Sequence, residues 1–276
     1  MRNCEKKITK RLYSFPNRHI MKTLITLFGL LFFLQLHAQK AKKNNPAYFV
    51  FDENGKGCKP ENAKYLGVLQ KLNDTAYAWK YYHFDGPLIS FETYRDKEIT
   101  LPHGEFVYYG VDGKMDSSGY VFEGKKNDWW YFYTDSFTLW KKEQYDMGKL
   151  IKRMELAAIA AEREALQKKS EAEQHWGEVE AVFKGGDSDW ISYIQKNINY
   201  PDRANNLKRE GSLMLQFIVN TDGTTSDFRI LKSVEYSLDE EAIRLIAASP
   251  KWRPAHQDGK LVKAYRRQPL TFQLPK

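Results

Sequence analysis

The chain has 276 residues and a formal net charge of +8, a length that accommodates two modest domains. Residues 1–38 carry seven Lys/Arg and one Asp/Glu, which leaves 36 against 34 in the remainder; a balance that even excludes the basic footprint of a nucleic-acid binder. Cys4 and Cys58 are the two cysteines, too few for a disulfide framework.

The chain opens with a polar stretch, residues 1–20, followed by Met21-Lys22 and a run from Leu24 to Leu36 that is apolar apart from Thr26 and Gln35. It closes on Leu36-His37-Ala38-Gln39. A basic start, a short apolar stretch and a small residue at its end describe a secretory signal, with Met21 the better start and cleavage expected after Ala38. The run covers roughly 20 Å of a ~30 Å hydrocarbon core, so a retained signal anchor is the alternative. Cys58 lies too far beyond it to carry a lipid and reads as a structural thiol.

Residues 45–150 form a first domain with an internal period. Phe106, Tyr109, Asp112-Gly113, Met115, Val121 and Gly124 recur as Trp130, Tyr133, Ser136-Phe137, Leu139, Tyr145 and Gly148, and an earlier copy runs Trp79, Tyr82, Asp85-Gly86, Leu88, Tyr94 and Lys97. Each unit predicts a strand, a tight turn and a returning strand, because Asp-Gly between apolar runs is a hairpin signal. Three hairpins stack into one antiparallel sheet, with the repeated aromatics as its packed face. Gly104-Glu-Phe-Val-Tyr-Tyr109 and Asp128-Trp-Trp-Tyr-Phe-Tyr133 resemble membrane occupation and recognition nexus (MORN) repeats, whose relatives serve as binding scaffolds. The adjacent Trp129 and Trp130 must point to opposite faces of a strand, which makes them the candidate surface of the repeats.

Residues 151–180 read as a helical linker, with a helix expected from Lys152 to Trp176: Met154 to Lys169 is rich in Ala, Leu, Glu, Lys and Arg, the strong helix formers. Its apolar positions hold no strict heptad.

Residues 181–276 predict a small α+β domain of the order αββαβ. Trp190, Ile191, Tyr193, Ile194 and Ile198 recur at helical spacing after a cap at Asp187 or Ser188, and Tyr200-Pro201 ends that helix. Leu213, Leu215, Phe217 and Val219 alternate as one face of a strand, Asn220-Thr-Asp-Gly223 turns, and Phe228 to Leu231 returns. Ser237 is the expected cap of a second helix, with Glu240 completing a capping box and Pro250 as its stop. A last strand runs from Tyr265 to Leu274.

Tyr200-Pro201, Ala204, Gly211, Asp222-Gly223, Ser233, Leu238, Ala242, Trp252-Arg-Pro-Ala255, Gly259, Val262, Pro269 and Phe272-Gln-Leu274 together resemble the C-terminal domain of the TonB energy transducers. The resemblance implies a periplasmic domain, in the periplasm or held on the inner membrane, that docks on outer-membrane transporters by strand addition. It also implies force received from inner-membrane motor proteins. The edge so implied is Arg266 to Gln273: Arg266, Arg267, Gln268, Leu270, Thr271, Phe272 and Gln273 are the expected partner contacts. Pro269 supports an edge, since proline cannot donate to a ladder. Ten prolines in all supply no long Pro-rich spacer, which favours the alternative of a soluble periplasmic scaffold without energy transduction.

No catalytic, metal or cofactor site is expected. His83, His103, His175 and His256 are dispersed, and Asp239, Glu240 and Glu241 read as the acidic start of a helix.

Overall fold

The computed structural model describes residues 45–134, 138–172 and 179–274. The signal and its cleavage site, the Ser136-Phe137 turn and the far end of the expected linker helix lie outside the described residues.

Nine strands form one antiparallel sheet in which each pairs with the next in sequence. They are β1 (Ala47–Phe51), β2 (Tyr65–Asn73), β3 (Ala76–His83), β4 (Leu88–Tyr94), β5 (Pro102–Tyr109), β6 (Met115–Phe122), β7 (Lys125–Tyr133), β8 (Leu139–Asp146) and β9 (Lys149–Glu155). Asp85-Gly86 and Asp112-Gly113 turn as expected, joining β3 to β4 and β5 to β6. Between the units, Glu123-Gly124 and Met147-Gly148 make two-residue loops with φ of 48°, 78°, 45° and 92°, the doubly positive geometry whose twist matches antiparallel strands.

The repeated aromatics do not share a face. Trp79, Phe106 and Trp130 cluster on one side with Tyr94, Val121 and Phe132, whereas Tyr82 and Tyr109 lie on the other with Leu66, Val68 and Leu88. The first and fourth residues of a unit differ by an odd number of positions, so a pleated strand must separate them. The period also fixes a bulge. Ile89, Asp116 and Trp140 are each the unpaired extra residue of a returning strand, at equivalent places in the three units.

The helix α1 (Leu156–Ala172) begins at Leu156 rather than Lys152. Met147-Gly148 returns the chain onto β8, and pairing from Lys149 to Glu155 overrides the helix propensity of those residues.

The C-terminal unit contains α2 (Gly186–Asn197), α3 (Asp202–Asn206), β10 (Gly211–Val219), β11 (Thr225–Lys232), α4 (Tyr236–Ala247), β12 (Ala255–Gln257), β13 (Lys260–Val262) and β14 (Ala264–Phe272). Its sheet has the order β11-β10-β14. Leu213, Leu215, Phe217 and Val219 are all buried against Leu238, Ala242, Leu245 and Ile246 of α4, with Trp190, Trp252, Leu270 and Phe272 closing the core. Each Leu, Ile, Val or Phe side chain among them contributes about 1.5–3 kcal/mol on full burial. The β12–β13 hairpin was not legible in the sequence, although its Asp258-Gly259 loop has φ of 50° and 73°.

Both expected helix caps move. Gly185, with φ of 93°, precedes α2 in place of Asp187 or Ser188. Glu235 caps α4, its carboxylate accepting from the Ser237 backbone N–H at 2.8 Å. Ser237 is therefore inside the helix, and Glu240 leaves the proposed capping box to bind Lys80 of β3 at 2.5 Å.

Candidate interaction edge

The two sheets are locked together, and this decides which edge of the smaller one stays open. Leu231 of β11 and Met214 of β10 pack on Val107, Met115 and Tyr133 of the large sheet. Beyond the apolar contact, the Ser233 N–H donates to the Gly113 carbonyl at 2.8 Å and Lys114 bridges to Lys232 at the end of β11. Tyr109 donates to the Ile230 carbonyl at 2.8 Å. Arg229 of β11 pairs with Glu105 of β5, and burial pushes its guanidinium pKa down.

A buried polar chain runs through the same contact. The Leu88 N–H donates to Ser233 Oγ at 2.8 Å, and Ser233 Oγ donates to Asp239 Oδ2 at 2.5 Å. Asp239 is fully buried, and desolvation pushes its pKa up to about 8 against the hydrogen bonds from Ser233 and Val234. Asp239 is thus a buried member of the contact and not merely an acidic helix start. Glu235, also fully buried, is held by Arg203 Nε at 2.6 Å, and Arg203 also donates to the Phe84 carbonyl. Arg209 reaches Asp85 at 2.6 Å.

β14 lies at the other side of the small sheet, where no strand among the described residues pairs with its outer edge. Its register with β10 is unbroken from Gly211 opposite Phe272 to Val219 opposite Ala264. Pro269 faces Met214 in that register, and since proline has no N–H, this pair must be a non-hydrogen-bonded one. Alternation then turns the backbone groups of Tyr265, Arg267 and Thr271 outward, and those of Arg266, Gln268, Leu270 and Phe272 toward β10.

The side chains divide in the same way. Leu270 and Phe272 are core residues. Arg266 is half-buried and donates to Glu180 at 2.8 Å. Arg267 is exposed and donates to Gln216 at 3.2 Å; Gln268 donates to the Pro269 carbonyl at 3.3 Å. Thr271 is exposed and shares a 2.7 Å hydroxyl contact with Ser212, while exposed Gln273 follows the end of the strand. Tyr265, 68 % exposed, is the outward-facing residue the sequence reading missed; the alternation set by Pro269 could have found it. The Arg267 charge opposes the upward shift that burial gives the Tyr133 phenol of β7.

Trp129 and Trp130 do point apart. Trp130 is buried, donates to the Tyr120 carbonyl at 3.1 Å and carries Lys126 Nζ 4.1 Å over its ring. Trp129 is half-buried beneath Lys142 Nζ at 4.6 Å.

A family model described as the Gram-negative bacterial TonB protein C-terminal matches residues 196–274. The C-terminal domain is TonB-like. The match begins at the end of α2 and runs past β14, so the edge just described belongs to the TonB-like domain, and the large sheet packs on that domain from outside the matched segment. An NMR solution structure of the Helicobacter pylori TonB C-terminal domain aligns at 22% identity over 33% of this chain and 87% of that one, with a TM-score of 0.25. No curated protein matches the chain.

Proposed function

We propose that this chain is a non-enzymatic cell-envelope protein of the periplasmic space, whose TonB-like domain docks on an outer-membrane transporter by accepting a strand along β14. The observation that carries the reading is the asymmetry of the small sheet. Its β11 side is contacted by the chain's own repeat sheet at Ile230, Leu231 and Lys232, and β14 meets no further strand among the described residues, with outward N–H and C=O groups left along it. An unpaired edge is a template for strand addition, with the backbone ladder supplying affinity. Coupling to inner-membrane motor proteins would require a retained anchor at Leu24–Leu36.

A photo-crosslinking residue placed at Tyr265 in the native host tests the docking. Capture of a transporter's periplasmic segment, reduced in the Thr271→Pro variant, is the expected result. Undiminished capture by that variant would sink strand addition. Thr271 is the right position because its N–H faces outward. Proline at Leu270 would instead break the domain's own ladder with β10.

The rigid seating of the repeat sheet against the domain supports a second reading, a periplasmic scaffold without energy transduction. Fractionation separates the two. Inner-membrane retention with the apolar run intact goes with transduction, and a soluble form beginning at Gln39 goes with the scaffold.

A further inference from the structure

Resting on the strand-addition reading, we infer that the β14 edge selects an acidic extended peptide, and that its ladder with that peptide is split at Pro269. Lys263 and the strand that follows it, Ala264–Phe272, carry Lys263, Arg266 and Arg267 and no carboxylate, the nearest acid at the far end being Glu210 on the Leu274 N–H. Lys260, Lys263 and Arg267 are exposed. Glu180 neutralises Arg266, whereas among the described residues Arg267 donates to the uncharged amide of Gln216 and forms no ion pair. An incoming strand therefore meets unbalanced positive charge along the edge, and like charges brought into register with it are repelled.

The split follows from the same register. Arg267 and Thr271 present outward donors on either side of Pro269, which presents a carbonyl alone. A partner residue opposite Pro269 can donate but finds no donor for its own carbonyl. The added ladder thus consists of one stretch at Tyr265 and Arg267 and another at Thr271.

The test is amide hydrogen exchange on the full chain, titrated with a synthetic peptide of alternating Val and Glu and with its twin carrying Lys for Glu. The expected result is protection of the Tyr265, Arg267 and Thr271 amides by the Glu peptide, with affinity at least about tenfold above that of the Lys twin and reduced by salt. The Leu270 amide, already bonded to β10, should not change. The double variant Lys263→Glu with Arg267→Glu, both at exposed positions, should reverse the preference. Equal protection by the two peptides would overturn the acidic selectivity while leaving strand addition standing. Protection by neither peptide would remove both. Binding to anionic vesicles without any amide protection would show that the positive charge serves a surface and not a strand, and would also overturn the proposal.

Discussion

Gly119 sits where a side chain would have to occupy the space of Trp130. A Cβ built there lies 2.3 Å from the Trp130 ring. In the period of the sheet, Gly119 stands where Glu92 and Glu143 stand in the neighbouring units, and the indole of Trp130 fills the gap. Gly119→Ala is expected to destabilise the protein by about 1–3 kcal/mol through overpacking, which denaturant unfolding would measure. Asp239 makes a pH prediction at the same scale. Its pKa rises on folding from 3.8 to about 8, so the folded state binds the proton more tightly. Stability from this group is complete below the unfolded value and falls as pH rises through that window, with a slope of at most about 1.4 kcal/mol per pH unit. Asp239→Asn, which stays neutral, should flatten the decline between pH 4 and 8 in thermal unfolding. An unchanged slope would show that another group titrates.

At the scale of the element, β14 is a strand whose two sides have different duties. Its inward backbone groups complete the domain's own ladder, and its outward groups pair with no strand among the described residues. Proline substitution separates the duties: Thr271→Pro should leave the melting temperature nearly unchanged and weaken partner binding. Leu270→Pro should destabilise the domain by about 3 kcal/mol or more through loss of a ladder bond and of a buried side chain. Comparing the two by calorimetry and by crosslinking tells backbone capture from side-chain recognition. The other edge of the large sheet, β9, shows how an exposed edge is guarded. It carries Lys149, Lys152 and Arg153, and its ladder with β8 skips Ile151, a combination of charge and bulge that discourages further pairing.

At the scale of the whole molecule, the chain has two sheets joined by a contact that includes buried charge. Glu235 is fully buried and depends on Arg203, whose guanidinium also reaches the large sheet at the Phe84 carbonyl. Arg203→Ala leaves a buried carboxylate unpaired, a change that typically costs about 3–5 kcal/mol, and it should loosen the two sheets together. Gly113→Ala attacks the same contact from the other side. Its φ is 76°, and a Cβ would lie 2.3 Å from the Ser233 carbonyl. Limited proteolysis between α1 and α2 should accelerate in both variants, whereas two independently tethered domains would show no change.

The sequence by itself determined the elements whose signal is local. Asp-Gly turns, the alternation of Leu213 to Val219, the helix before Pro250 and the period of the aromatic units all depend on neighbours within a few positions, where φ preference and side-chain spacing act directly. The TonB-like order of elements was legible for the same reason. Tertiary structure decided the rest. The chain from Lys149 to Glu155 became a strand because β8 was there to pair with it. Glu240 left its helix cap for Lys80, a residue far away in sequence. Tyr82 and Tyr109 turned out to face the TonB-like domain, and β11 met the repeat sheet at its end while β14 met no further strand among the described residues. Apart from the local β8–β9 hairpin, these outcomes rest on contacts between residues more than a hundred positions apart, such as Leu88 with Ser233. Local propensity carries no information about which distant group will desolvate a carboxylate or cover a strand edge.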